Sequence, residues 1–288
     1  MIDNRPVCLD GKILNETDAM TTAVQSGLFY GAGCFETMLA ENGFIFRFNE
    51  HMDRMYAALQ YLGLPEELFP DKRKTKQDID DLVKHCGFDN RRIRVRIQVS
   101  LIEKEGYDYD DHVKTMNLIT AAPAADQNYP ATLFQTKTRV VPDICHPAHL
   151  KLSNMLHYRN AFRKAQREGA DDALMLTTNG FVAETATANI FWKKGNTVYT
   201  PSGLCDILPG ILREAVIEII DRNDSYTIQE GKFYSTALVN ADSVWLTNSI
   251  IELREVKSIN GITYPIDEQF MNYLKEALNK VKELEQQL

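Results

Sequence analysis

Arg92-Ile93-Arg94-Val95-Arg96-Ile97-Gln98-Val99-Ser100-Leu101 is the clearest strand signal in the chain. Ile93, Val95, Ile97, Val99 and Leu101 alternate with Arg92, Arg94, Arg96, Gln98 and Ser100. Successive side chains of a strand point to opposite faces, so this period predicts one apolar face and one arginine face. The arginine face has two readings at this point. It is a solvated sheet face, or it lines a site for an anion.

Outward from that strand, Asn49 to Leu62 reads as a helix: Asn49 can cap it, and Met52, Met55, Tyr56, Leu59 and Leu62 recur at helical spacing. Ile79 to Cys86 reads as a second helix, stopped by Gly87. Thr115 to Thr120 reads as another strand, followed by the small, polar, proline-punctuated run Ala121 to Pro130. That run sets the expected domain organisation: residues 1–121, a linker at 122–130, and residues 131–288.

In the second half, a helix is predicted from Asn154 to Glu168 with Gly169 at its stop. Strands are expected at Ala173–Thr177, Ala188–Trp192, Thr197–Tyr199 and Ser243–Thr247. Pro209-Gly210 precedes a helix from Ile211 to Asp221, and Asp267 to Leu288 closes the chain as an amphipathic helix. Short strands mixed with helices in two halves predict an α/β (α+β) enzyme-like body.

Bulk properties narrow the function classes. With 40 acidic against 32 basic residues in 288, the net charge of −8 argues against broad binding of nucleic acid. No apolar run approaches the ~18 residues of a membrane span. Met1-Ile2-Asp3-Asn4-Arg5-Pro6 lacks the apolar stretch of a secretory signal. Cys8, Cys34, Cys86, Cys145 and Cys205 are odd in number and widely spaced, which predicts free thiols in a reducing cytoplasm. Cys145-His146-Pro147-Ala148-His149 has no second ligand pair, so it reads as a loop and no metal is expected. Gly31-Ala32-Gly33 has Glu36 where a dinucleotide loop needs its third glycine, and neither a phosphate-binding P-loop nor a nucleophile elbow occurs.

Four segments are more informative together. They are Gly31-Ala32-Gly33-Cys34-Phe35-Glu36-Thr37 with Glu50-His51-Met52-Asp53-Arg54; Lys151-Leu152-Ser153-Asn154; Glu184-Thr185-Ala186-Thr187-Ala188-Asn189-Ile190-Phe191; and Leu208-Pro209-Gly210-Ile211-Leu212-Arg213. In this order and spacing the chain resembles the fold-type IV, or class IV, pyridoxal-phosphate aminotransferases. Branched-chain aminotransferases, D-amino-acid aminotransferases and aminodeoxychorismate lyases belong to that family. The resemblance runs from about residue 1 to residue 260.

The resemblance implies a two-domain fold-type IV enzyme with pyridoxal 5'-phosphate in the interdomain cleft. That cofactor needs an amine, an acid for its ring nitrogen and a cradle for its phosphate. Lys151 matches the Schiff-base lysine, carried in the C-terminal domain, which would also shuttle the substrate's α-proton. Glu184 matches the acid facing the pyridine nitrogen. The phosphate is expected at the N-terminus of the helix after Gly210, on the main chains of Ile211 and Leu212, where free N–H groups and the helix dipole favour an anion. Arg54 matches the phosphate arginine, and Ser249 falls where relatives place a phosphate hydroxyl. On the substrate side the resemblance implies Phe35, Arg94, supporting Arg96, and a main-chain turn near Asn248. It thereby favours the anion-site reading of the arginine strand.

Some positions depart from the family pattern. Ala32 replaces an acid, Ser100-Leu101-Ile102 stands where an arginine-glycine pair is common, and Leu156 replaces a tyrosine of the branched-chain members, as it does in D-amino-acid enzymes and lyases. Gly33-Cys34-Phe35-Glu36-Thr37 leans toward the lyases. The expectation is a cytoplasmic homodimer that moves an amino group between an amino acid, branched-chain or D, and a 2-oxo acid by a ping-pong route. A pyruvate-eliminating aminodeoxychorismate lyase is the alternative on the same fold. A non-catalytic scaffold is a third reading, opposed by the intact Lys151, Glu184 and Arg54.

Overall fold

The computed structural model describes residues 5–21, 25–88, 91–103, 106–107, 112–127 and 129–287. They form two compact units. The first runs to Ala125 and takes in Leu150–Asn154; the second holds Asp126–His149 and the chain from Met155 onward.

The first unit is built on a six-stranded sheet. Its strands are β1 (Pro6–Leu9), β2 (Lys12–Asn15), β3 (Gly33–Glu41), β4 (Phe44–Ile45), β5 (Arg92–Ile102) and β6 (Lys114–Pro123), in the spatial order β2-β1-β6-β5-β3-β4. Their pairings are antiparallel. The alternation of β5 does what its pattern predicts: Ile93, Val95, Ile97, Val99 and Leu101 are buried, while Arg94 and Arg96 are exposed. Helix α1 (Ser26–Phe29) is a single turn. Helix α2 (Phe48–Tyr61) packs Met52, Met55, Ala58 and Leu59 into the core beside β3, and α3 (Lys72–His85) adds Ile79 and Leu82 beside β1 and β6.

Several boundaries differ from those read in the sequence. Helix α3 begins seven residues before the predicted Ile79, at Lys72, because Asp71 caps it by accepting from the Lys74 N–H at 2.7 Å. Strand β6 extends to Pro123 along β5, so the expected linker starts inside a strand. Lys151 does not travel with the C-terminal half as expected. Leu150 and Leu152 are buried in the first unit's core, and Leu152 bridges Cys34 at the start of β3.

In the second unit, the described residues form a nine-stranded mixed sheet. Its strands are β7 (Ala131–Arg139), β8 (Asp172–Leu176), β9 (Val182–Thr185), β10 (Asn189–Lys194), β11 (Thr197–Pro201), β12 (Thr227–Gly231), β13 (Ser243–Asn248), β14 (Glu252–Ile259) and β15 (Ile262–Thr263). They lie in the order β12-β11-β10-β13-β14-β7-β8-β9, with β15 paired to β14. Helices α4 (Leu156–Arg167), α5 (Ile211–Asp221), α6 (Thr236–Val239) and α7 (Glu268–Gln286) complete the unit. Helix α4 lies on β7 and β8. Helix α7 buries Phe270, Met271, Leu274 and Leu278, and the Phe270 ring meets Trp245 edge-on at 5.3 Å. Helix α4 starts two residues later than predicted because residues 150–154 belong to the first unit. No described helix is long and apolar enough to cross a membrane.

Candidate active site

The lysine segment joins the arginine strand's face through backbone pairing. The Phe35 N–H donates to the Lys151 carbonyl at 3.0 Å, and the Ser153 N–H donates to the Gly33 carbonyl at 2.9 Å. Leu152 is buried with Cys34, so by strand alternation Lys151 and Ser153 turn to the other face. Phe35, opposite Gln98, and Thr37, opposite Arg96, occupy that same face. The result is a built cluster. The Arg96 guanidinium lies 3.8 Å from the Phe35 ring centre, and the Lys151 ammonium nitrogen lies 4.8 Å from the same ring. Arg96 Nη2 donates to Gln98 Oε1 at 2.9 Å, and Gln98 Nε2 donates to Ser153 Oγ at 2.8 Å. The pKa of Arg96 is lowered, first by desolvation and then by the charge of Arg94. Gly33 is required here: a Cβ on it would overlap the Val99 carbonyl oxygen.

Of the two arginines, Arg96 reaches the ring beside Lys151. Arg94 lies one pair further along, opposite Leu39, and is exposed. The sequence expectation had Arg94 leading and Arg96 in support; in the structure it is Arg96 that lies over the Phe35 ring, which Lys151 also approaches.

Arg54, the expected phosphate ligand, projects from α2 onto a buried acid. Its Nε and Nη2 donate to the two carboxylate oxygens of Glu36 at 2.7 and 2.8 Å. His51, one helical turn earlier, places Nδ1 at 2.7 Å from Glu36 Oε2. Burial alone would push the Glu36 carboxyl up, but the charges and hydrogen bonds of Arg54 and His51 outweigh it and hold the group well below the usual carboxylate range. Burial pulls His51 below its ordinary value against the attraction of Glu36, which favours the neutral imidazole. Because an ionised carboxylate only accepts, Nδ1 carries the proton.

In the second unit Glu184, at the end of β9, is 5% exposed and held from three sides. The Tyr158 hydroxyl donates to Oε1 at 2.5 Å, the Asn189 amide donates to Oε2 at 3.1 Å, and the Leu208 N–H lies 3.3 Å from both oxygens. The turn from Glu184 to Asn189 is itself pinned. Buried Asp172 accepts from the Thr185 and Thr187 hydroxyls at 2.8 and 2.6 Å. Asn189 also donates to the Leu208 carbonyl at 2.9 Å, and a Cβ on Gly210 would overlap its amide oxygen.

Gly210 is the extended N-cap residue of α5, and no side chain caps the helix. The first N–H groups of a helix have no partner within it, so those of Ile211 and Leu212 are suited to an anion. Their side chains are buried and anchor the turn. Ser249 sits half-buried in the turn after β13. The Asn248 side chain is engaged in building that turn. Its oxygen accepts from Ile250 N and Ile251 N at 2.8 and 2.9 Å, and its nitrogen donates to the Thr187 carbonyl at 2.9 Å. Asn248 therefore shapes the turn with its side chain.

Sequence reasoning missed Tyr158, Asn189, Gln98 and the pairing of Glu36 with His51. His51 and Arg54 stand three apart on a helix, so a shared partner was a readable signal. Nothing local marks Tyr158, which meets Glu184 across 26 positions.

Comparison with known proteins gives a consistent picture. The family model described as amino-transferase class IV matches residues 33–259. The chain is 28% identical over 264 residues to the aminodeoxychorismate lyase of Bacillus subtilis (strain 168), covering 90% of this chain and 88% of the relative. It is 29% identical over 261 residues to a putative branched-chain-amino-acid aminotransferase of Methanocaldococcus jannaschii, covering 88% of each. The fold matches the crystal structure of the branched-chain aminotransferase of Thermoproteus uzoniensis with norvaline. The TM-score is 0.87 at 23% identity, over 96% of this chain and 95% of that one.

Proposed function

The chain belongs to the amino-transferase class IV family of enzymes, and on that premise we propose that it is a pyridoxal 5'-phosphate-dependent aminotransferase acting on an amino acid and a 2-oxo acid. The observation that carries the proposal is the backbone pairing of residues 151–153 with β3, which sets the Lys151 amine beside Phe35 and Arg96.

The donor set fits the cofactor. It comprises a primary amine on Lys151, a buried carboxylate on Glu184 with three donors around it, the uncapped start of α5, and the Arg54 guanidinium. When bound, pyridoxal 5'-phosphate supplies a carbonyl that condenses with amines and a ring that accepts an electron pair. Lys151 Nζ would hold the cofactor and carry a proton to and from the substrate α-carbon. Glu184 would keep the ring nitrogen protonated. Ile211 and Leu212 N–H, Arg54 and Ser249 would hold the phosphate. Arg96, with Arg94 beside it, would grip a substrate carboxylate above the Phe35 ring. The amino group leaves one substrate before the second enters, which gives ping-pong kinetics. Branched-chain and D-amino acids are the proposed donors. The relative in M. jannaschii supports the former. Five free thiols suit a cytoplasmic enzyme, and we propose a homodimer there.

One specific relationship favours a second reading. The B. subtilis relative is named a lyase, and Leu156 is exposed at the start of α4 where branched-chain members carry a tyrosine. A lyase would use the same residues to release pyruvate with no acceptor present.

The proposal is tested by borohydride reduction of the cofactor-loaded protein followed by peptide mapping. The label is expected on Lys151, and Lys151→Ala should fold, take up no covalent label and lose turnover. A label on another lysine would overturn the assignment.

A further inference from the structure

Tyr158, Asn189 and Leu208 converge on Glu184, and their contacts are not alike. Asn189, at the start of β10, and Leu208, in the segment before α5, approach at 3.1 and 3.3 Å. Tyr158 comes from α4, a separate element, and makes the shortest contact, 2.5 Å to Oε1. Its ring is itself held, lying against His157 with centres 4.3 Å apart. The pKa of the phenol is raised far above its ordinary value, first by burial and then by the Glu184 charge, so Tyr158 stays a donor. With the phenol removed, Oε1 would lose its shortest hydrogen bond, and the Leu208 N–H, at 3.3 Å, holds it less tightly. The carboxylate could then turn out of its present orientation.

We propose that Tyr158 is a positioning residue that acts through Glu184, fixing the orientation of the carboxylate presented to the cofactor's ring nitrogen. Tyr158 is thereby part of the machinery that sets the strength of the electron-accepting ring, without itself touching substrate. The inference rests on the reading of Glu184 given above.

A double-mutant cycle tests it, read by the dissociation constant of pyridoxal 5'-phosphate, the visible absorbance of the loaded protein, and kcat against KM. Tyr158→Phe keeps the ring and its packing, and a thermal melt checks that it folds. It should weaken cofactor binding or lower kcat by about ten- to a hundredfold, the scale of one hydrogen bond to a charged group. It should also shift the visible band and leave the amino-acid KM near the parent value. Combined with Glu184→Gln, it should add no further loss. Parental affinity, band and kcat in Tyr158→Phe, or losses that simply multiply in the double variant, would overturn the inference while Glu184→Gln alone still shows its effect. If Glu184→Gln itself matches the parent, the reading of Glu184 fails and the inference falls with it.

Discussion

The Arg54 guanidinium grips both oxygens of the Glu36 carboxylate, at 2.7 and 2.8 Å, before any ligand is considered. Glu36 is fully buried and the Arg54 side chain is 12% exposed, so this pair is a desolvated fork. Its consequence is a guanidinium that is already oriented, so that in the proposed phosphate role it would have little rotamer freedom left to lose on binding.

Removing the acid should expose that dependence. Glu36→Gln leaves the guanidinium charge buried without its counter-charge, and a loss of about 3–5 kcal/mol in unfolding free energy is expected. Urea unfolding of parent and variant measures it. A change within about 0.5 kcal/mol would mean that Arg54 finds its partner elsewhere.

His51 gives the protein a pH signature. Its pKa in the folded state lies below the ordinary 6.5, so the unfolded chain binds a proton first as pH falls. Stability should therefore decline as pH drops below 6.5. Glu36 is depressed below its ordinary 4.5, so its contribution is complete above that value and is lost as pH falls further. Melting temperatures recorded from neutral to acid pH should show both phases, and His51→Gln should flatten the upper one. An unchanged upper phase in the variant would assign it to another group.

Glu184→Gln should retain the fold and still bind cofactor, because an amide can accept from Tyr158 and Leu208. It cannot balance a cationic ring nitrogen, and a rate loss of at least about a hundredfold, on the order of 3 kcal/mol, is expected. Near-parental turnover would point to a different acid.

The two arginines can be ranked. Since Arg96 lies over Phe35 beside Lys151, Arg96→Leu should cost roughly 2–4 kcal/mol in kcat/KM for amino acids and much less for simple primary amines. Arg94→Leu should show the same pattern with a smaller loss. Equal losses for amino acids and amines would make the role of Arg96 structural.

Legibility in the sequence followed the range of the interactions. Strand β5 announced itself because every alternate residue is apolar and buried. Helix α2 did so because four core residues recur on one stripe. The first turns of α3 are polar and carry no such stripe, and only the Asp71 cap marked them. Lys151, Glu184 and Arg54 were legible as residue types in an ordered pattern. Their partners were not, since Glu36 meets Arg54 across 18 positions and Glu184 meets Tyr158 across 26. The placement of residues 150–154 was equally hidden. It depends on a three-residue pairing with the start of β3, too short to leave a periodicity.

The central claim is amino-group transfer, and a half-reaction tests it most directly. Cofactor-loaded protein is mixed with one L- or D-amino acid at a time, with no 2-oxo acid present, and the released 2-oxo acid is measured. An aminotransferase releases one equivalent per active site and stops until an acceptor is added. Failure to release any 2-oxo acid across the amino-acid panel, together with sustained release of pyruvate from aminodeoxychorismate without an acceptor, would contradict transamination and establish the lyase.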